Sequence, residues 1–139
     1  MSKSEQIVAE KFGRLIIEKM KDEPLQWFDV IVKGKAKSPK DRGFHKALAK
    51  LPKETLDLIR DCIIDATTTG IFDFLATLNE MNDFREGIQI TVDGVDVFSV
   101  NDDGLHYELL GEDGWEAKFS KFPTSDEVDD KYAKYSESN

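Results

Sequence analysis

The sequence predicts an α+β domain in which N-terminal helices and one long central helix pack on a four-strand antiparallel meander. Three observations carry that expectation. Between Leu51 and Met81, apolar residues (Leu51, Leu58, Ile59, Cys62, Ile63, Ala66, Phe74, Leu75, Leu78, Met81) recur at the three-and-four spacing of one helix side. After Asn82 the apolar period drops to two, the mark of strands with one buried face. Helices come first and strands afterwards, without βα alternation, so the long helix is expected to cover one face of the sheet.

Ser2 and Glu5 have the spacing of a capping box. Behind them Val8, Phe12, Leu15, Ile16 and Met20 form a helical stripe that stops before Pro24, so the first helix covers about residues 4–22, with Lys19 and Lys21 suiting the dipole of its last turn. Leu25, Trp27, Phe28, Val30, Ile31 and Val32 follow almost unbroken. Periodicity does not separate a buried strand from a short helix in such a run; a helix is preferred because the later strands already make a self-contained sheet. Lys33 to Lys53 holds eight basic residues and one acid, broken by Gly34, Pro39 and Gly43, and its first half reads as an exposed loop.

The long helix starts with Pro52 in its first turn, where a missing N–H costs nothing. Cys62 is expected to be a small buried hydrophobe on its apolar side, and Gly70, between Ala66 and Phe74 on that side, a close backbone crossing. Ile88, Ile90 and Val92, the turn pair Asp93-Gly94, then Val95 and Val97 predict a hairpin with Val92 opposite Val95 and Ile90 opposite Val97. Asn101-Asp102-Asp103-Gly104 is a turn. Leu105, Tyr107 and Leu109, then Trp115, Ala117 and Phe119, supply the last two strands. A loop over 110–114 sets Leu109 against Trp115, Tyr107 against Ala117 and Leu105 against Phe119, keeping both apolar sets on one face. Thr124 and Glu127 repeat the capping-box spacing, with Val128, Tyr132 and Tyr135 on one side of a short helix. Residues 1–123 are thus expected to form a single domain, and 124–139 a partly ordered acidic tail.

A length of 139 residues suits one domain. The first residues are charged and lack the apolar run of a signal peptide or membrane span, and a lone cysteine makes no internal disulfide. A cytoplasmic protein without membrane attachment is expected. The net charge of -9 is uneven: residues 1–53 carry thirteen Lys/Arg against seven Asp/Glu (+6), residues 54–139 six against twenty-one (-15). Such a field attracts cationic partners and repels nucleic acid. The basic segment also lacks the interleaved aromatics of a base-stacking platform, Phe44 standing alone, so no nucleic-acid partner is expected.

Motifs for chemistry are sparse. His45 and His106 are isolated, no serine sits in a G-x-S-x-G elbow, and one cysteine with two separate histidines serves zinc poorly. Ser99-x-Asn101-x-Asp103-Gly104 has the central spacing of an EF-hand loop but places Leu110 where a bidentate Glu is required, and reads as a turn. Neither a P-loop nor a Rossmann glycine pattern occurs. Glu108 and Glu116, flanking the second hairpin, read as solvated. No cofactor or resident metal is expected, and catalysis is not favoured.

The oddest feature is the row Asp57, Asp61, Asp65 and Asp73, at steps of four with Thr69 in the gap. Like charges at that spacing repel by a few tenths of a kcal/mol per pair. Compensation could come from the Lys-rich segment and Arg60 laid against the row, from a docked basic protein, or from a shared divalent cation, although the row has no histidine. The functional expectation is a non-catalytic acidic protein-binding domain in which Asp57, Asp61, Asp65 and Asp73, with Asp102, Asp103, Glu112 and Asp113 on the connecting turns, meet a basic protein partner. In size and charge the chain resembles bacterial immunity and inhibitor proteins, which implies electrostatically steered neutralisation of a cationic toxin. Two other readings are an enzyme or small-ligand pocket between helix and sheet, lined by Trp27, Phe28, Tyr107 and Trp115, and a homo-oligomer joined through residues 25–32.

Overall fold

The structure, a computed structural model, describes residues 1–84 and 87–136. Among these residues the fold is mostly helical, with one two-stranded antiparallel sheet; the four-strand meander does not form.

Helix α1 (Lys3–Ile17) carries both halves of the Ser2 capping box: the Glu5 N–H donates to Ser2 Oγ (3.2 Å) and the Ser2 N–H to Glu5 Oε2 (3.3 Å). The chain does not break before Pro24. It continues through one wide π-helical turn, Glu18–Asp22, into α2 (Glu23–Val32), and the Glu23 N–H reaches back five residues to the Glu18 carbonyl. Pro24 accounts for the widening, since it has no N–H to give and its ring would strike the carbonyl four residues earlier in a regular helix. The wide turn brings Lys21 and Asp22 into the interior. Residues 25–32 are helical, with Leu25, Phe28 and Ile31 inward.

After a short connection, α3 (Pro39–Leu48) starts at Ser38, whose Oγ accepts the Asp41 N–H (3.1 Å), and buries none of its side chains. Helix α4 (Lys53–Asp83) is the 31-residue centre of the molecule. Its inward face is not the stripe read from the sequence. Asp61, Ile64, Thr68, Ile71 and Leu75 are buried, whereas Leu58, Cys62, Ala66, Gly70 and Phe74 are exposed. The inward face is stabilised by polar partners from the far end of the chain, Lys131 and Tyr132 for Asp61 and Glu116 for Thr68, which apolar periodicity does not register. Among the described residues a Cβ placed on Gly70 meets nothing within 4 Å, so the expected backbone crossing is not seen there.

Strands β1 (Thr91–Val92) and β2 (Val95–Asp96) form the first predicted hairpin. Val92 pairs with Val95, and the Val97 N–H donates to the Ile90 carbonyl (3.0 Å) in the expected register. Asp93 and Gly94 both take positive φ (52° and 79°), the conformation for which this dipeptide is favoured.

The second predicted hairpin is replaced by a 3-10 turn, Leu105–Glu108, and a short helix, α5 (Trp115–Phe119). The backbone groups a strand ladder would need are engaged elsewhere: Asn79 Oδ1 of α4 accepts the Leu105 N–H (3.0 Å), and the Leu109 carbonyl accepts the Glu116 N–H (3.1 Å). Burial follows a helical pattern, with Leu105 and Leu109 inward, the adjacent Trp115 and Glu116 both inward, and Tyr107 outward. Helix α6 (Ser125–Ser136) begins with the predicted Thr124–Glu127 box and lays Val128 and Tyr132 beside Leu25, Ile63 and Ile64. The main core joins Val8, Phe12, Ile16 and Ile17 of α1 to Ile71 and Leu75 of α4, and to Val97, Val100, Leu105, Leu109 and Trp115.

Candidate functional site

With α4 rotated so that its expected core stripe faces outward and α6 lying along one edge, a groove of about 870 Å3 opens between the two helices. Leu58, Cys62, Ala66 and Gly70 of α4 and Val128 of α6 line it, together with Asp61, Asp65 and Asp73 of the aspartate row and Asp129 and Tyr132 of α6. Apolar surface and carboxylates therefore share one concavity. Asp57 lines the neighbouring hollow with Leu58, Lys131 and Tyr132 and pairs with Lys53 (3.4 Å) on the exposed helix surface.

Each aspartate has its own electrostatic setting. Asp61 is nearly enclosed and accepts hydrogen bonds from Lys131 Nζ (2.8 Å) and Tyr132 OH (2.6 Å). Desolvation pulls its pKa upward, but these two hydrogen bonds and the charges of Lys131 and Arg60 outweigh it and hold the carboxyl below the usual range. The Tyr132 hydroxyl is in turn held protonated above its ordinary pKa, chiefly by that hydrogen bond to Asp61. Asp129 goes the other way. Desolvation, then hydrogen bonding and repulsion from Asp65, with Asp130 and Glu116 contributing, raise its pKa. The groove thus holds one neutralised aspartate, Asp61, and a repelling pair, Asp65 and Asp129, one from each helix.

Apart from Lys53, its last residue, which pairs with Asp57 (3.4 Å), the Lys-rich segment does not cover the row. Helix α3 packs on α2, and among the described residues the ion pairs made by Asp57, Asp61, Asp65 and Asp73 are those with Lys53 and Lys131. Arg60 pairs with Asp29 of α2 (2.8 Å) instead. The turn acids do not join the groove. Asp102, Asp103, Glu112 and Asp113 are exposed around the 3-10 turn and α5, and the Asn101 side chain and carbonyl accept the Asp103 and Gly104 N–H groups (2.9 and 3.2 Å), as in the expected turn. Trp27, Phe28, Tyr107 and Trp115 are not gathered in one hollow: Trp27 and Tyr107 are exposed, against Phe44 and His106, while Phe28 and Trp115 are buried, the latter against Phe12.

A buried polar cluster fixes α6 at its start. Glu116, expected to be solvated, is turned inward by α5. Its Oε2 accepts from Lys21 Nζ (3.0 Å) and Thr68 Oγ1 (2.6 Å), and its Oε1 from the N–H and Oγ of Ser125 (2.9 Å each). Lys21 Nζ also donates to the Pro123 carbonyl (2.8 Å), and Asp22 accepts from Ser120 Oγ (2.7 Å) and the Lys121 N–H (2.9 Å). Desolvation pushes the Glu116 pKa up, but the hydrogen bonds from Thr68, Ser125 and Lys21 prevail and hold it below the usual value. With both carboxylate oxygens engaged and both side chains enclosed, the Lys21–Glu116 pair is a clamp between the wide turn, α4, α5 and α6, with no atom turned to a substrate.

Sequence reasoning did not identify Asp129 or the outward Leu58–Cys62–Phe74 face; the capping box at Thr124 and the acidic DEVDD run were the signals available for the former. Among the described residues no group of three His, Cys, Asp or Glu is placed to hold a metal ion, and no helix is long and apolar enough to cross a membrane. No protein-family model matches the chain, and neither the curated proteins nor the solved structures compared with it give a match. What the groove offers chemically is apolar contact area flanked by fixed negative charge.

Proposed function

We propose that the chain is a non-catalytic protein-binding domain that docks a basic partner in the α4–α6 groove, acting in the cytoplasm in the manner of an immunity or inhibitor protein. The observation that carries this reading is the exposed apolar face of α4 beside Asp65, Asp73 and Asp129, for which no ion pair with a lysine or arginine is formed among the described residues. Leu58, Cys62, Ala66 and Gly70 form a continuous exposed apolar strip along the floor of the groove, with Leu58 45% exposed. Apolar contact supplies affinity, and the carboxylates steer and orient a cationic surface. Because Asp61 is already engaged by Lys131 and Tyr132, the acids offered to a partner are Asp65, Asp73 and Asp129, with Asp57 at the rim. Asp102, Asp103, Glu112 and Asp113 contribute to the long-range field only. The -15 half of the chain disfavours nucleic acid as the partner.

Affinity capture from extracts of the source cells tests the proposal. The wild-type chain should retain a basic protein that is released as salt rises through about 0.1–0.5 M, where screening shortens. The Asp65→Asn/Asp73→Asn variant should retain much less of it. Capture indifferent to salt, or none at all, contradicts the reading.

A further inference from the structure

We propose that a second copy of this chain seats its α2–α3 face in the α4–α6 groove, so that the protein associates head to tail when no other basic partner fills the groove. The inference rests on the proposed function only in taking the groove as an acceptor for basic surfaces.

The donor face is the mirror of the groove in charge and its match in apolar content. Trp27, Val30 and Phe44 are 46%, 41% and 47% exposed, and the Trp27 and Phe44 rings meet edge to face with centroids 6.0 Å apart. Helix α3, which brings Phe44 there, buries no side chain in its own molecule. Its tethers to α2 are that ring contact and a hydrogen bond between His45 Nδ1 and the Ile31 carbonyl (2.8 Å). A ten-residue helix with no fully buried side chain, only Asp41, His45 and Leu48 being half-buried, is marginal in isolation and gains stability from a surface laid against it. Lys40 shares the Phe44 face of α3, one helical turn before it, and Lys33, Lys35 and Lys37 lie in the connection between α2 and α3; all four are exposed, and among the described residues no ion pair involves them.

The two faces belong to the oppositely charged parts of the chain, +6 for residues 1–53 and -15 for residues 54–139. Seating one on the other places lysines against Asp65, Asp73 and Asp129, where the free groove holds carboxylates that repel each other, and covers the groove's apolar floor at Cys62 and Ala66 with aromatic surface. A contact between two different surfaces is heterologous. Unless two copies satisfy both contacts at once, each added molecule leaves one groove and one donor face free.

Sedimentation velocity of the full chain, at about 0.05 and 0.5 M salt and up to about 200 µM protein, tests this. The donor-face variant is Lys40→Ser/Phe44→Ser and the groove variant is Leu58→Ser/Asp65→Asn/Asp73→Asn; all these positions lie outside the cores, and circular dichroism checks that the helices persist. Wild type should associate at low salt and dissociate at high salt. Each variant alone should stay monomeric, and an equal mixture of the two should form a species of two chains and nothing larger. Wild type monomeric throughout, or variants that still self-associate, overturns the proposal. So does wild type that stays monomeric but binds a duplex DNA probe or phosphatidylserine vesicles through Lys40 and Phe44, because the donor face then serves a polyanion. Loss of self-association alongside salt-sensitive capture of a basic protein sinks this inference and leaves the proposed function standing.

Discussion

The Lys21 ammonium meets Glu116 Oε2 at 3.0 Å with both side chains shut off from solvent, 0% and 3% exposed. The pair joins the wide turn after α1 to α5, and through Thr68 and Ser125 to α4 and the start of α6, so the wall of the groove depends on it. A buried pair is dangerous to break because the surviving charge has no water to turn to. Glu116→Ala, which strands Lys21, should therefore lower stability by about 3–5 kcal/mol. Lys21→Met/Glu116→Leu removes both charges and should recover part of that loss, though not all, because the Ser125 N–H and the Thr68 hydroxyl keep no acceptor. Urea denaturation of the two variants measures the difference.

The carboxyl groups give the molecule an acid-sensitive fold with one opposing member. Glu116 and Asp61 have lowered pKa values in the folded protein, so their stabilisation is present in full above the unfolded-state carboxylate pKa of about 4 and is lost as pH falls through the lower folded values. Asp129 is raised, so its ionisation opposes folding at neutral pH and the opposition disappears on acidification toward that same unfolded value. Asp129→Asn should then stabilise the protein by a few tenths of a kcal/mol at pH 7, the scale of an exposed like-charge pair, and by nothing near pH 4, as read from thermal unfolding across that range.

Two glycines should respond oppositely to alanine. At Gly13 an added Cβ falls into the Trp115 ring, itself held by the edge of Phe12 at 6.0 Å, so Gly13→Ala should cost about 1–3 kcal/mol through overpacking. At Gly70 the space is open and the backbone helical, so Gly70→Ala should add up to about 1 kcal/mol. Melting temperatures of the two variants separate the cases.

Local chemistry was legible in the sequence; partnership across the chain was not. The Ser2 and Thr124 capping boxes, the helix after Pro52, the Asp93-Gly94 hairpin with its register, and Val128 with Tyr132 on one side of a terminal helix all follow from residues within a few positions of one another. The second hairpin misled because Leu105, Tyr107 and Leu109 satisfy a period of two, while the Leu105–Leu109 spacing alone also satisfies a helical turn, and Asn79 of α4 takes the backbone N–H at Leu105. The face of α4 misled for a related reason. Its inward side carries Asp61 and Thr68, which look like solvent residues until Lys131, Tyr132 and Glu116 arrive from the far end of the chain. That same rotation leaves Leu58, Cys62 and Phe74 outside, so the candidate site lies where sequence periodicity placed the core. Pro24, close behind Lys21 and Asp22, is the local signal for the wide turn, but a proline there fits a helix end equally well.

The most direct test of the account is the dissociation constant between the intact chain and the basic protein it captures, measured by titration calorimetry at about 0.05 and 0.5 M salt for wild type and for Asp65→Asn/Asp73→Asn. The account predicts weakening of about tenfold or more, some 1.4 kcal/mol, from either the added salt or the two substitutions. Equal constants for the two chains at both salt concentrations would contradict it, and would remove the groove between α4 and α6 as the docking site.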